Sequence, residues 1–161
     1  MPFDNLEPCW FAARIISNRQ YVLDSVAKDG VQTYITPVVP NILFIKAAFP
    51  YVRGLSIRCA GMLFFYRDAD RKNPGIIDEK QMSNFILVTS APEDSLIFLG
   101  EVTHNFLEGQ KVRVTGGIFE GAEGVIKRIK GDRRLIVNIS GVVCVATAFI
   151  HPSLLEPLTD D

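Results

Sequence analysis

The sequence predicts an α+β fold in two parts, an N-terminal antiparallel sheet flanked by helices followed by a small β-barrel. Three observations carry this. Residues 10–92 alternate strand-like and helix-like segments, each helix opened by a capping signal. Residues 109–150 hold only short apolar strands punctuated by glycine turns. Between them, residues 91–105 begin with the turn-rich Ala91-Pro92-Glu93-Asp94-Ser95.

The first strand is Trp10-Phe11-Ala12-Ala13-Arg14-Ile15-Ile16, apolar at successive positions as a strand covered on both faces must be. Ser17 and Gln20 have capping-box spacing and open a helix whose apolar stripe is Tyr21, Val22, Val26 and Ala27, with Gly30 as its stop. Two strands, 32–36 and 42–46, are joined by a proline-bearing connection. A strand-like stretch at 55–59 and an aromatic run at 62–66 follow, then a polar loop at 68–74. Asp78 and Gln81 repeat the capping spacing and open a second helix with Met82, Phe85 and Ile86 facing inward. In the expected linker, 93–105, the tetrapeptide Leu96-Ile97-Phe98-Leu99 is too apolar for a free tether and should dock.

The second part starts with a strand at 111–115 in which Val112 and Val114 share a face. Glycines 116, 117, 121 and 124 fit the corners of a tightly curled sheet. Turn signals at Gly131-Asp132 and Ser140-Gly141 mark two more hairpins, and Leu135, Val137 and Ile139 alternate inward between them. The expected partition is 1–92, a linker at 93–105, and 106–161.

Composition narrows the function classes. With 48% hydrophobic residues and 11 Phe in 161, the chain has ample core. No apolar run approaches the ~18 residues of a membrane span, and residues 1–8 lack the basic and apolar regions of a secretory signal, so a cytoplasmic protein is expected. Charge is balanced, 17 basic against 18 acidic residues, which excludes holding duplex nucleic acid by phosphate neutralisation alone. Three scattered cysteines, Cys9, Cys59 and Cys144, make no zinc pattern with His104 and His151 and read as buried thiols.

Several segments together resemble the NusG family of transcription elongation factors, and the resemblance covers nearly the whole chain. Trp10-Phe11 is similar to the aromatic pair that starts the family's first strand. Pro40-Asn41-Ile42-Leu43-Phe44-Ile45 is similar to its Pro-Gly/Asn-Tyr-Leu-Phe-Val strand. Residues 61–66 and 74–79 resemble the approach to its next helix. The glycine-marked stretch 109–126 resembles a KOW motif on an SH3-like barrel. The Pro-Asn form and low charge resemble specialised paralogues, the RfaH-like antiterminators and UpxY-type regulators of capsular polysaccharide operons. Two departures stand out: the 36–41 connection is short where relatives carry a longer basic loop, and Ile42 stands where they often have an aromatic.

The resemblance implies an N-terminal domain that binds the clamp helices of RNA polymerase through an apolar patch, here Trp10, Phe11, Ile42, Phe44 and Phe65. It implies contact with non-template DNA, for which Arg14, Arg19, Arg53 and Arg58 are the candidates. It also implies a KOW barrel that recruits a termination factor or small-subunit ribosomal protein. Each candidate has a plainer reading, core aromatic or solvated arginine. The basic hairpin Lys127, Arg128, Lys130, Arg133, Arg134 could touch RNA or could serve solubility and edge protection. A ribosome-associated or RNA-binding KOW module is the alternative class, disfavoured by the neutral charge. No nucleophile–His–carboxylate pattern or phosphate loop is present in the sequence, so neither enzyme chemistry nor a cofactor is expected.

Overall fold

The computed structural model describes residues 6–16, 39, 41–100 and 109–159. The helix expected at Ser17, the strand at 32–36, the end of the expected linker at 101–105 and residues 106–108 lie outside the described residues. By contacts the chain divides into two compact units, Met1–Ile76 and Ile77–Asp161.

The first unit holds β1 (Cys9–Ile15), β2 (Ile42–Ala47) and β3 (Leu63–Phe65) in an antiparallel sheet of order β2-β1-β3. β1 is the central strand, which accounts for its apolar residues on both faces. Phe11, Ala13 and Leu63 face helix α1 (Phe49–Arg58), packing with Phe49, Val52, Leu55 and Cys59. Residues 55–59, read as strand-like from sequence, are thus the end of this helix. The alternation Leu55, Ile57, Cys59 was misleading because Ile57 is 72% exposed. The buried set Phe49, Val52, Leu55 recurs every three residues instead, the helical interval. Pro50 sits in the first turn, where its missing N–H costs nothing.

The second unit holds α2 (Glu79–Thr89), β4 (Leu96–Gly100), β5 (Gln110–Val114), β6 (Glu123–Ile129), β7 (Asp132–Ile139), β8 (Val143–Phe149) and β9 (Leu155–Pro157). Its antiparallel sheet has the order β4-β8-β7-β6-β5-β9. Asp78 caps α2 by accepting from Lys80 N at 3.0 Å and Gln81 N at 3.1 Å. The Gln81 amide does not complete the box but donates to Ser140 Oγ at 3.0 Å. Met82, Phe85 and Val88 are the buried stripe, and Ile86, expected inward, is 41% exposed. The cause is the 100° step per residue: a stripe at 82, 85 and 88 turns position 86 away. α2 packs on β7, and β4 pairs with β8. The segments assigned from sequence to the first domain and the linker therefore join the second compact unit, and the apolar 96–99 docks as a strand.

Two glycines decide local geometry here. Gly121, at φ 88°, donates back to Val114 O at 2.8 Å and closes the turn after β5. A Cβ on Gly124 would run into the Ile136 carbonyl oxygen of the neighbouring strand. The β6–β7 turn falls on Lys130 and Gly131, at φ 53° and 90°, one residue earlier than the sequence signal indicated. Cys9, Cys59 and Cys144 are free thiols, and burial pushes the Cys144 pKa up to about 11.

Candidate functional site

Strand alternation sorts the aromatic candidates of the first unit onto opposite faces. Phe11 and Phe65 lie on the α1 side. Phe11 has no exposed surface and packs on Phe49 and Val52, and Phe65 packs beside both clusters there. Trp10, Ile42 and Phe44 lie on the other face, where cross-strand partners line up in rows. Ile42 and Phe64 flank Arg14 on either side, Phe44 stands opposite Ala12, and Lys46 stands opposite Trp10. The register thus brings together three of the five predicted patch residues and adds Phe64, which is 48% exposed. Phe64 was illegible in sequence because Met62 to Tyr66 is apolar or aromatic at every position, so alternation leaves no mark.

Ala12, at the centre of this face, is 1% exposed. Lys46 Nζ sits 5.5 Å from the Trp10 ring centre and Arg14 Cζ 5.9 Å from that of Tyr66, both within cation–π range. Trp10 Nε1 is buried with no hydrogen-bond partner, a donor of the kind that costs about 1–3 kcal/mol when left unmet. The face is therefore aromatic and apolar with a cation at each side.

The arginine candidates do not converge. Arg14 belongs to the face just described, whereas Arg53 and Arg58 are exposed on α1, on the sheet's other side, with Arg58 stacked 5.6 Å from Tyr51. Arg19 lies outside the described residues.

In the second unit α2 and the sheet enclose a cleft of about 490 Å³, lined among others by Asp78, Asn84, Leu87, Lys111, Glu123 and Asn138. Asn84 spans its floor. Its Nδ2 donates to Glu123 O, and its Oδ1 accepts from Glu123 N at 2.8 Å. Glu123 pairs with Arg113 on β5, but the β6–β7 register begins only at Val125 opposite Ile136, so the side-chain amide takes the place of a β7 partner for Glu123. The Glu123 carboxylate binds Arg113 at 2.6 Å and Lys80 at 3.1 Å. These bonds, Arg113's first, hold its pKa below the usual carboxylate value, and raise that of Arg113. Asn84 and Lys80 thus join α2 to the sheet through Glu123.

Among the described residues no cluster of three or more His, Cys, Asp and Glu side chains is placed to hold a metal. His151 caps the 3-10 turn Pro152–Leu154, its Nδ1 accepting from Ser153 N at 3.2 Å. Among the described residues no helix is long and apolar enough to cross a membrane.

No family model matches the chain, and no curated protein matches it. A solved structure described as "Domain interaction in Thermotoga maritima NusG" does match, at 16% sequence identity and a TM-score of 0.50, covering 95% of this chain and 98% of that one. With coverage nearly complete on both sides, the fold of this chain is NusG-like.

Proposed function

We propose that this chain is a transcription elongation and antitermination factor of the NusG type, acting by binding and without chemistry of its own. The observation that carries the reading is the NusG-like fold over 95% of the chain, joined to the family-like motifs at Trp10-Phe11 and residues 40–45. In this reading the first 92 residues engage the clamp helices of RNA polymerase. The contact is the face bearing Trp10, Ile42, Phe44 and Phe64, which suits the apolar side of a helical hairpin. Arg14 and Arg19 reach towards exposed non-template DNA. Residues 106–161 form the KOW barrel and recruit a further factor, and the protein works in the cytoplasm. The RfaH-like or UpxY-type role at polysaccharide operons is the specialised form of this proposal.

The test is an in vitro elongation assay with purified polymerase, paired with co-purification. The protein should bind core polymerase and lengthen transcripts through a leader from its own operon. Arg19→Ala should keep polymerase binding and lose part of the elongation gain. Absence of polymerase binding by a correctly folded protein would refute the proposal.

A further inference from the structure

Two of the arginines singled out in the sequence, Arg53 and Arg58, lie on α1, away from the face assigned to polymerase. α1 buries Phe49, Val52 and Leu55 against the sheet. At 100° per residue, its opposite face carries Pro50, Gly54 and Ile57 in one strip. Their spacing, i, i+4 and i+7, is that of the seam along which two helices pack. Arg53 flanks the strip on one side, and Tyr51 and Arg58 flank it on the other.

Lone exposed apolar side chains are ordinary on a surface, but this strip has further marks of an interface. Ile57 is 72% exposed. Gly54 stands mid-helix, where only proline is a poorer helix former, and its φ is not in the left-handed region that demands glycine. What the missing side chain provides is room. A Cβ at Gly54 would lie 3.2 Å from Arg58 Nη1, and Arg58 Cζ is 5.6 Å from the centre of the Tyr51 ring. The guanidinium is thus laid across the glycine and held against the ring, in place before any partner arrives. A glycine on a helix face also lets a second backbone come close.

The surrounding charge sets the chemistry of that partner. Neither α1 nor any of the three strands of its sheet has an acidic residue. Arg53 and Arg58 form no ion pair among the described residues. The last-turn position of Arg58 suits the helix dipole, but that leaves Arg53, in the middle of the helix, and Ile57 unexplained. Phosphates would engage the arginines and leave Ile57 in water. A helix with an apolar ridge and carboxylates along both sides engages all three.

We propose that the outer face of α1 is a docking site for an acidic amphipathic helix of a partner protein, with Pro50 and Ile57 in the apolar seam and Arg53 and Arg58 pairing with carboxylates on either side of it. The site lies across the sheet from the polymerase-facing patch and is tested without polymerase, so either reading can fail alone. The full-length protein is titrated, by fluorescence anisotropy at several salt concentrations, against a fluorescein-labelled helical peptide of about 20 residues. The peptide carries leucines at seam spacing and glutamates along both flanks. A twin with lysine for every glutamate, a single-stranded DNA and a DNA duplex are the other probes. Saturable binding of the glutamate peptide is expected, weakening as salt rises, with no binding of the lysine twin.

Ile57→Ser should weaken binding at least about 5-fold with Tm within a few degrees of wild type, since the side chain is exposed. Arg58→Glu should weaken it by a similar factor at low salt and by less at high salt. Gly54→Ala should leave Tm unchanged or raise it and still weaken binding, because its Cβ displaces Arg58 and fills the seam. That opposition of stability and affinity is not expected of a purely structural glycine. Absence of saturable binding of the glutamate peptide at low salt, equal or tighter binding of the lysine twin, or unchanged affinity in Ile57→Ser or Gly54→Ala would overturn the proposal. So would DNA binding that Arg53→Ala and Arg58→Ala weaken and Ile57→Ser leaves alone, which would assign these arginines to nucleic acid.

Discussion

Replacing Asn84 by alanine isolates the device that joins α2 to the sheet. The amide makes two hydrogen bonds to the backbone of Glu123, each worth about 1 kcal/mol net. Truncation also leaves a part-buried N–H and C=O without that partner, so a loss of about 2 kcal/mol is the lower expectation. For a unit of this size, melting by itself, that is a fall in Tm of roughly 8–16 °C. The two units can be followed separately, because Trp10 and all four tyrosines lie within Met1–Ile76. Tryptophan fluorescence therefore reports the first unit, and far-UV circular dichroism reports the second as well. The dichroism transition should move down while the fluorescence transition stays in place. Asn84→Asp should fare no better, since its second oxygen would face the Glu123 carbonyl. A dichroism transition within about 2 °C of wild type would refute the claim that this amide stands in for a strand partner.

The remaining expectations concern pH and the two faces of the first sheet. The pKa of Glu123 is depressed below its ordinary 4.5 in the folded protein. Its contribution to stability is therefore fully present above that value and is lost as pH falls through the folded pKa. Melting of the second unit across pH 3–7 should show this acid limb, and Glu123→Gln should flatten it; an identical limb in the variant would refute the assignment. Phe11→Ala should cost about 3–5 kcal/mol, as truncation of a fully buried aromatic does. Phe64→Ala, at a half-exposed position, should leave Tm within a few degrees and weaken polymerase binding. Denaturant unfolding and a polymerase pull-down measure both, and a large stability loss in Phe64→Ala with unchanged affinity would remove it from the patch.

What the sequence by itself determined was whatever depends on local chemistry. Asp78 caps a helix because a carboxylate two or three residues before free N–H groups has few other uses. The apolar alternation of β5 and β7 placed Val112, Val114, Leu135, Val137 and Ile139 inside, and the run through β1 marked it as a central strand. The docking of residues 96–99 followed from their hydrophobicity.

Only the tertiary structure decided which face each aromatic serves. A run such as Met62 to Tyr66 is apolar at every position, so the choice between Phe64 and Phe65 depends on register with β1, a long-range property. Local alternation at 55–59 pointed to a strand, and the burial of Phe49, Val52 and Leu55 against β1 overrode it. The assignment of α2 and β4 to the second unit rests on bonds spanning tens of residues, such as Asn84 to Glu123. Pairing order and parity are set by which strands meet, and no residue's own chemistry encodes that.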